Sequence, residues 1–396
     1  MTAQARAVTI RRRRFPWLRL CVGAVCLGAL TALFFIPGIT PWVLQFEQWT
    51  GDWRTAYFSD RLSDPHPLVA IVTIDDDTLK DYASSPIDRG LLARIVRAVD
   101  AAGARAIGLD VFFLKKTEPE RDQALITALQ SAKAEVVLGA IDERGDLQPF
   151  QRDFQRTFLA EAGRHVGYLQ LRHERDDVVR KMARPVADSA FPESFARQLA
   201  KAGGREEADD GRPIAWLLPP KDGGDTFLTI PAQDLFQDFG NQASDTLSSM
   251  AAQLKDRIVL IGGDFPFRDR HRTPLSARTH KTMAGTTIQA QMVAAFLDPN
   301  RRVSELKSES ADILLASLAV AGFALGWTLW ASRIVDFFAS SFATGALMAI
   351  DAVTFTEWRV ILPFTLAFVT WVLAVTAGRS LRSVADWIVG KREAVA

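Results

Sequence analysis

The sequence is poor in cysteine. It has two, Cys21 and Cys26, both in one apolar run. A disulfide framework and a cysteine-rich metal site are thereby excluded. It also lacks an excess of charge of either sign, with Lys+Arg at 47 and Asp+Glu at 46. A nucleic-acid binder carries a net basic excess, and this chain has none. The five histidines, His66, His165, His173, His271 and His280, form no H-x-H or H-E-x-x-H pattern. A zinc site therefore has no support in the sequence. There is no G-x-S-x-G elbow and no Walker loop. No stretch sets a nucleophile beside a base and an oxyanion donor. The expectation is a protein that is not an enzyme and that needs no cofactor.

What the sequence does have is apolar residue, at 48%, beside 23% charged residue. The two fit one chain only where the apolar residues are segregated, and disorder of the whole chain is excluded. At 396 residues the chain can hold two domains, or one domain plus membrane segments.

The apolar residues gather in four runs. The first covers residues 17–36 and follows Arg11-Arg12-Arg13-Arg14. Its length fits one membrane span, and Arg19 near its start can reach back to the interface. A cleaved signal peptide is the competing reading. The long run and the lack of an A-x-A site after Ile36 favour an uncleaved anchor. Three more runs cover residues 313–332, 334–355 and 360–377. Four transmembrane helices follow, one N-terminal and three C-terminal. The positive-inside rule puts the N-terminal arginines, Arg333, Arg379, Arg382, Lys391 and Arg392 in the cytoplasm. Both termini are then cytoplasmic, and the large middle segment lies outside. Asp336 and Asp351 sit near the ends of the third run, where water is close. Gly322, Gly326, Ser340, Ala343 and Gly345 suit close helix packing.

The polar body begins with an amphipathic helix over 42–61, with Phe46, Trp49, Trp53 and Tyr57 at helical spacing. Residues 68–74, 104–109, 135–141 and 257–263 are buried-strand runs. Helical patterns over 88–102 and 120–131 separate the first three, with Asp88 as an N-cap and Gly103 as a stop. Alternating buried strands and helices predict an α/β fold with a largely parallel central sheet flanked by helices. The region 142–254 is less regular. Within it, 165–171 reads as a strand with 178–186 beside it as a hairpin. Residues 195–202 read as helix, 203–211 as an exposed loop, and 214–218 and 227–230 as short strands. A helix over 286–297 returns toward the membrane.

These residues carry a resemblance. Asp52-Trp53-Arg54 comes first, then the run from Val72 to Leu79, Pro86-Ile87-Asp88-Arg89 and the run from Gly108 to Phe113. Gly167-Tyr168, Asp177-Val178-Val179-Arg180 and Ser194-Phe195-Ala196 follow. The series closes with the run from Leu254 to Gly262, Asp269-Arg270, Thr273-Pro274 and Met283-Ala284-Gly285. In this order they resemble the type-2 CHASE domain, the cyclase/histidine-kinase-associated sensory extracellular module. The resemblance implies a signal-receiving domain outside the membrane. The expected organisation is a basic cytoplasmic N-terminus (1–16), an anchor (17–37), the sensor domain (38–309), three membrane helices (310–378) and a short cytoplasmic tail (379–396). Members of the family commonly continue into a kinase or cyclase. About 18 residues follow Gly378, too few for such a domain. A stand-alone receptor is therefore expected, with its output supplied by a separate cytoplasmic signalling protein.

Candidate binding residues follow from the strand ends. Asp75, Asp76, Asp110 and Asp264 all lie where predicted parallel strands finish, and ligands of open α/β sheets bind there. With Arg270 they form the candidate ligand site. Such aspartates also serve as helix caps or as partners of a nearby arginine, here Arg89 or Arg270. Gly262-Gly263-Asp264-Phe265 approaches the GGDEF signature of dinucleotide cyclases but lacks its glutamate. The glycines suit a tight strand-to-loop turn. The following loop holds Arg268, Asp269, Arg270, His271 and Arg272, and reads as an anion site or an internal ion-pair loop.

The expectation is a sensor in a bacterial inner membrane that perceives an unknown extracytoplasmic ligand or protein and contacts the bilayer. A homodimer is expected and no nucleic acid. A structural or scaffolding subunit of an envelope complex is the alternative. A membrane-tethered enzyme acting on envelope polymers is a third reading. Strand-end acids lining a pocket favour the receptor. The same acids held in ion pairs, beside an exposed apolar patch, favour the scaffold.

Overall fold

The structure, a computed structural model, describes residues 15–35, 40–80, 82, 86–206, 211–235, 252–328 and 333–393. The arginines of residues 11–14 lie outside the described residues. The chain forms two compact units. One comprises Met1–Thr50, Leu306–Thr354 and Leu362–Ala396, the other Gly51–Glu305 and Phe355–Ile361.

The second unit is built on a six-stranded sheet. Its strands are β1 (Val69–Ile74), β2 (Ala106–Asp110), β3 (Glu135–Ala140), β4 (His165–Tyr168), β5 (Leu228–Pro231) and β6 (Ile258–Gly263). The spatial order is β4-β3-β2-β6-β1-β5, and every neighbouring pair is parallel. All six residues of β1 are buried, as a strand covered on both faces requires. Successive side chains of a strand go to opposite faces. Val72, Ile74, Ile107, Leu109, Val259 and Ile261 pack into one core cluster. Val69, Ile71, Ala106, Ile258 and Leu260 pack into the other.

Helices complete the three layers. On the first face lie α3 (Arg89–Ala101), α4 (Pro119–Ser131) and α5 (Pro149–Ala162), through Leu91, Ile95, Leu125, Leu129 and Phe158. Asp88 caps α3 by accepting from the Leu91 N–H at 2.9 Å. On the second face lie α6 (Phe195–Ala202) and α7 (Gly285–Leu297), through Phe195, Leu199, Ile288 and Phe296. The parallel α/β architecture expected from the sequence is the one observed.

Three local expectations are corrected. The region 142–254 contains a full helix, α5. Pro149 starts it, the Gln151 side chain accepts from the Gln148 N–H at 3.0 Å, and Gly163 ends it at φ 61°. The strand expected over 178–186 does not lie beside 165–171. Val179–Lys181 pairs antiparallel with Arg172–His173, while β4 is the outer strand of the parallel sheet. The first amphipathic helix is α2 (Thr40–Phe58), shorter than expected. Asp60–Arg61 then runs as a short strand parallel to Leu217–Leu218.

The other unit contains α1 (Trp17–Phe35), α8 (Ser308–Thr328), α9 (Arg333–Trp358) and α10 (Phe364–Glu393). By length and composition, Ser308–Thr328 and Phe364–Lys391 are able to cross a membrane. The apolar helix Trp17–Leu33 is shorter than that measure, and α9 carries Asp336 and Asp351. Two such helices are thus present among the described residues where four spans are expected. Gly326 brings α8 against α10. A methyl group on it would meet the Val375 carbonyl oxygen at 2.1 Å. The packing expected of Gly322 and Gly326 is therefore used within this chain.

Candidate functional site

All strands of the sheet are parallel, so their C-terminal ends share one edge. Ile74 of β1 and Asp110 of β2 flank β6 in register with Gly263 and Gly262. This places Asp75, Asp264 and Asp110 at three adjacent strand ends, as the sequence predicts.

Each of these acids has its own partner. Asp75 Oδ1 accepts from the Thr78 N–H at 2.7 Å and from the Thr78 hydroxyl at 2.8 Å. Asp75 thus closes a turn rather than capping a helix, and Asp76 on the same turn is exposed. Asp264 takes a bond from Arg270 Nη2, and Arg270 Nε donates to the Phe265 carbonyl at 3.0 Å. Arg270, a candidate ligand residue, thus has an internal partner. Arg89 does not pair with a strand-end acid. It lies buried over the Phe113 ring at 4.4 Å, 3.5 Å from Asp122, and burial pushes its pKa down to about 10.

Asp110 differs from the others. It is the last residue of β2 and accepts from the Thr286 hydroxyl at 2.6 Å, in the first turn of α7. Burial, then the neighbouring Asp269, pushes its carboxyl up to about 7. The Thr286 bond and His271 act against that rise. Gly262 makes room for the arrangement. A methyl group there would meet Thr286 Oγ1 at 2.0 Å and Asp110 Cβ at 3.0 Å.

Two groups beside this edge escape the sequence reading. The first is a chain of three side chains. His271 Nε2 is 2.9 Å from Asp269 Oδ1, and His271 Nδ1 is 2.9 Å from His173 Nε2. Asp269 itself sits in the left-handed region, at φ 52°. Aspartate tolerates that conformation better than most residues. The second is Asp142, buried just beyond β3 and held by the Arg144 guanidinium. The Asp142 pair resembles that of Asp264, an acid at a strand end satisfied by a following arginine.

A third group ties the motifs of the resemblance together. Arg180 meets Asp52 through two bonds of 2.7 Å. It also meets Glu174 at 2.9 Å and Asp176 at 2.6 Å. Burial works against the Arg180 charge, but the bonds from Asp176 and Asp52 outweigh it and hold the guanidinium above its ordinary range. Burial raises the Asp52 carboxyl, and Arg180 offsets part of the rise. Three carboxylates around one cation make Arg180 the group that neutralises the cluster. Among the described residues, no three histidine, cysteine, aspartate or glutamate side chains are placed to hold a metal ion. A cleft of about 550 Å³ at the start of α3 is lined by Tyr82, Asp88, Gly90, Leu91, Arg94, Arg97 and Arg121. None of the five predicted site residues lines it.

The family model of the CHASE2 domain matches residues 25–327. No curated protein and no solved structure matches the chain.

Proposed function

The chain belongs to the CHASE2 domain family, a family of extracellular sensor domains, and on that premise we propose that it is a membrane-anchored receptor. The α/β unit receives a ligand or a protein outside the cytoplasm. The signal passes through the membrane helices to a separate cytoplasmic partner. The proposal includes four spans, both termini in the cytoplasm and a homodimer, and it assigns no catalysis. Physically, a stimulus acts by favouring one of two conformations of the outer unit.

The observation that carries this reading is the Arg180–Asp52 pair. It ties the hairpin of residues 172–181, near the sheet edge, to α2, the helix through which the chain enters the α/β unit. A change at the edge has a charged, nearly buried link to act on.

A second reading, the scaffold subunit, is favoured by the state of the strand-end acids. Asp264 is held in an ion pair by Arg270, and none of the strand-end acids lines the cleft. Cross-linked purification of the intact protein from its native membrane separates the two. Stoichiometric recovery of a cytoplasmic kinase, cyclase or regulator supports the receptor. Recovery of envelope proteins alone sinks the relay and supports the scaffold.

A further inference from the structure

Resting on the receptor reading, we infer that the His173–His271–Asp269 chain is a proton-binding site, and that acid opens the joint it makes between the hairpin 172–181 and the loop of His271. The stimulus received at this edge is then the proton itself.

The argument begins with donors and acceptors. A carboxylate only accepts, so His271 presents an N–H at Nε2 to Asp269. Its Nδ1 is then a lone pair, and His173 must donate to it from Nε2 across 2.9 Å. His173 is exposed, and His271 is 20% exposed. A first proton from solvent fits on the free Nδ1 of His173, and the bond between the rings becomes charge-assisted. A second proton has only His271 Nδ1 to occupy. Two N–H groups then face each other at 2.9 Å, between rings whose centroids are 5.0 Å apart and both positive. The bond is lost and the rings repel.

Asp269 of the same loop bonds His271, and Asp110 at the end of β2 lies close enough for the His271 and Asp269 charges to act on it. Thr286 bonds Asp110, and Arg270 is taken up by Asp264. Burial, then the Asp269 charge, pushes Asp110 up to about 7, and Asp269 is bonded to His271. Unperturbed imidazoles titrate near pH ~6.5, and the second step of a coupled pair falls below the first.

The joint is placed to matter. The Val179 N–H donates to the Arg272 carbonyl at 2.8 Å, beside Arg180. When the histidines part, that backbone bond, part of the isolated bridge between Val178 and Arg272, is left to hold the hairpin to the loop. Arg180 follows Val179 directly and carries the change to Asp52 on α2.

The test is hydrogen exchange on the full chain in lipid nanodiscs at pH 7.5 and 5.5, corrected for the intrinsic pH dependence of exchange. Protection over residues 172–181 should fall about threefold to tenfold at pH 5.5, the scale of one hydrogen bond. In His173→Phe it should already be low at pH 7.5 and should not change with pH. His165→Phe, at an exposed histidine outside the joint, should respond as the wild type does. Equal protection at both pH values in the wild type, or a full response in His173→Phe, overturns the proposal. If His173→Phe does not fold, imidazole carbon NMR of the wild type decides. Two histidines titrating in coupled steps support the joint, and five independent titrations overturn it. None of these outcomes bears on which side of the membrane the unit lies, so a flat response removes the proton and leaves the receptor reading standing.

Discussion

Arg180 holds Asp52 with two parallel bonds of 2.7 Å, between residues 128 positions apart in the chain. One residue comes from a β-hairpin and the other from α2, and both side chains are 11% exposed. A two-toothed grip of this kind fixes direction as well as distance. It explains why Asp52-Trp53-Arg54 and Asp177-Val178-Val179-Arg180 belong to one pattern although nothing in the sequence joins them.

The cluster is asymmetric, and mutation should reveal it. Arg180→Ala leaves Asp52, Glu174 and Asp176 without their common cation. The expected cost is about 3–5 kcal/mol, the range for breaking a buried ion pair from one side. Asp52→Asn leaves Arg180 with two carboxylates and should cost clearly less. Thermal unfolding of the two variants checks the order, and equal losses would contradict the assignment of Arg180 as the shared neutraliser.

Gly262 is predicted to tolerate no side chain. In Gly262→Ala the new methyl group would overlap Thr286 Oγ1 and crowd Asp110. Overpacking of this kind costs about 1–3 kcal/mol. Chemical unfolding should show that loss. An unchanged midpoint would mean that α7 and β2 are not held together as closely as described.

Two shifted groups give stability opposite slopes with pH. The folded state raises Asp110 from 3.8 to about 7, so it keeps a proton that the unfolded chain releases. Its contribution is full below about pH 4 and is lost as pH rises to about 7. His66 behaves the other way. Burial, then Arg301 and Arg257, lowers it from 6.5 to about 4, so the unfolded chain takes up the proton first. Its contribution is full above about pH 6.5 and is lost as pH falls toward 4. Asp110→Asn should therefore stabilise at pH 8 relative to the wild type and remove the loss between pH 4 and 7. His66→Phe should flatten the acid side. Melting curves from pH 4 to 8 test both, and a variant that keeps the wild-type slope contradicts its assignment.

Much of this fold is legible in the sequence because parallel strands are covered on both faces. Residues 68–74, 104–109, 135–141 and 257–263 stand out as largely apolar runs with at most one charged residue, at or near the start, and each contains a strand of the sheet. The strand-end acids are legible for the same reason, since Asp75, Asp110 and Asp264 end those runs. What each acid does is not legible. Thr286 is 176 residues from Asp110, and His173 is 98 from His271. No spacing rule spans such separations, because the hairpin and α7 bring the groups together only in the folded sheet. The helix α5 was hidden by glutamine at its start, where serine, threonine or aspartate gives the usual signal.

The account stands on the α/β unit lying outside the cytoplasm. Thiol labelling of spheroplasts tests this most directly, in a chain whose two cysteines are replaced by Cys21→Ala and Cys26→Ala. A single new thiol is placed at exposed Lys221 or at exposed Lys391. The prediction is that Lys221→Cys reacts with a membrane-impermeant maleimide in intact spheroplasts. Lys391→Cys should react only after permeabilisation. The reverse pattern would put the sheet edge, its histidines and Arg180 in the cytoplasm and would contradict the receptor.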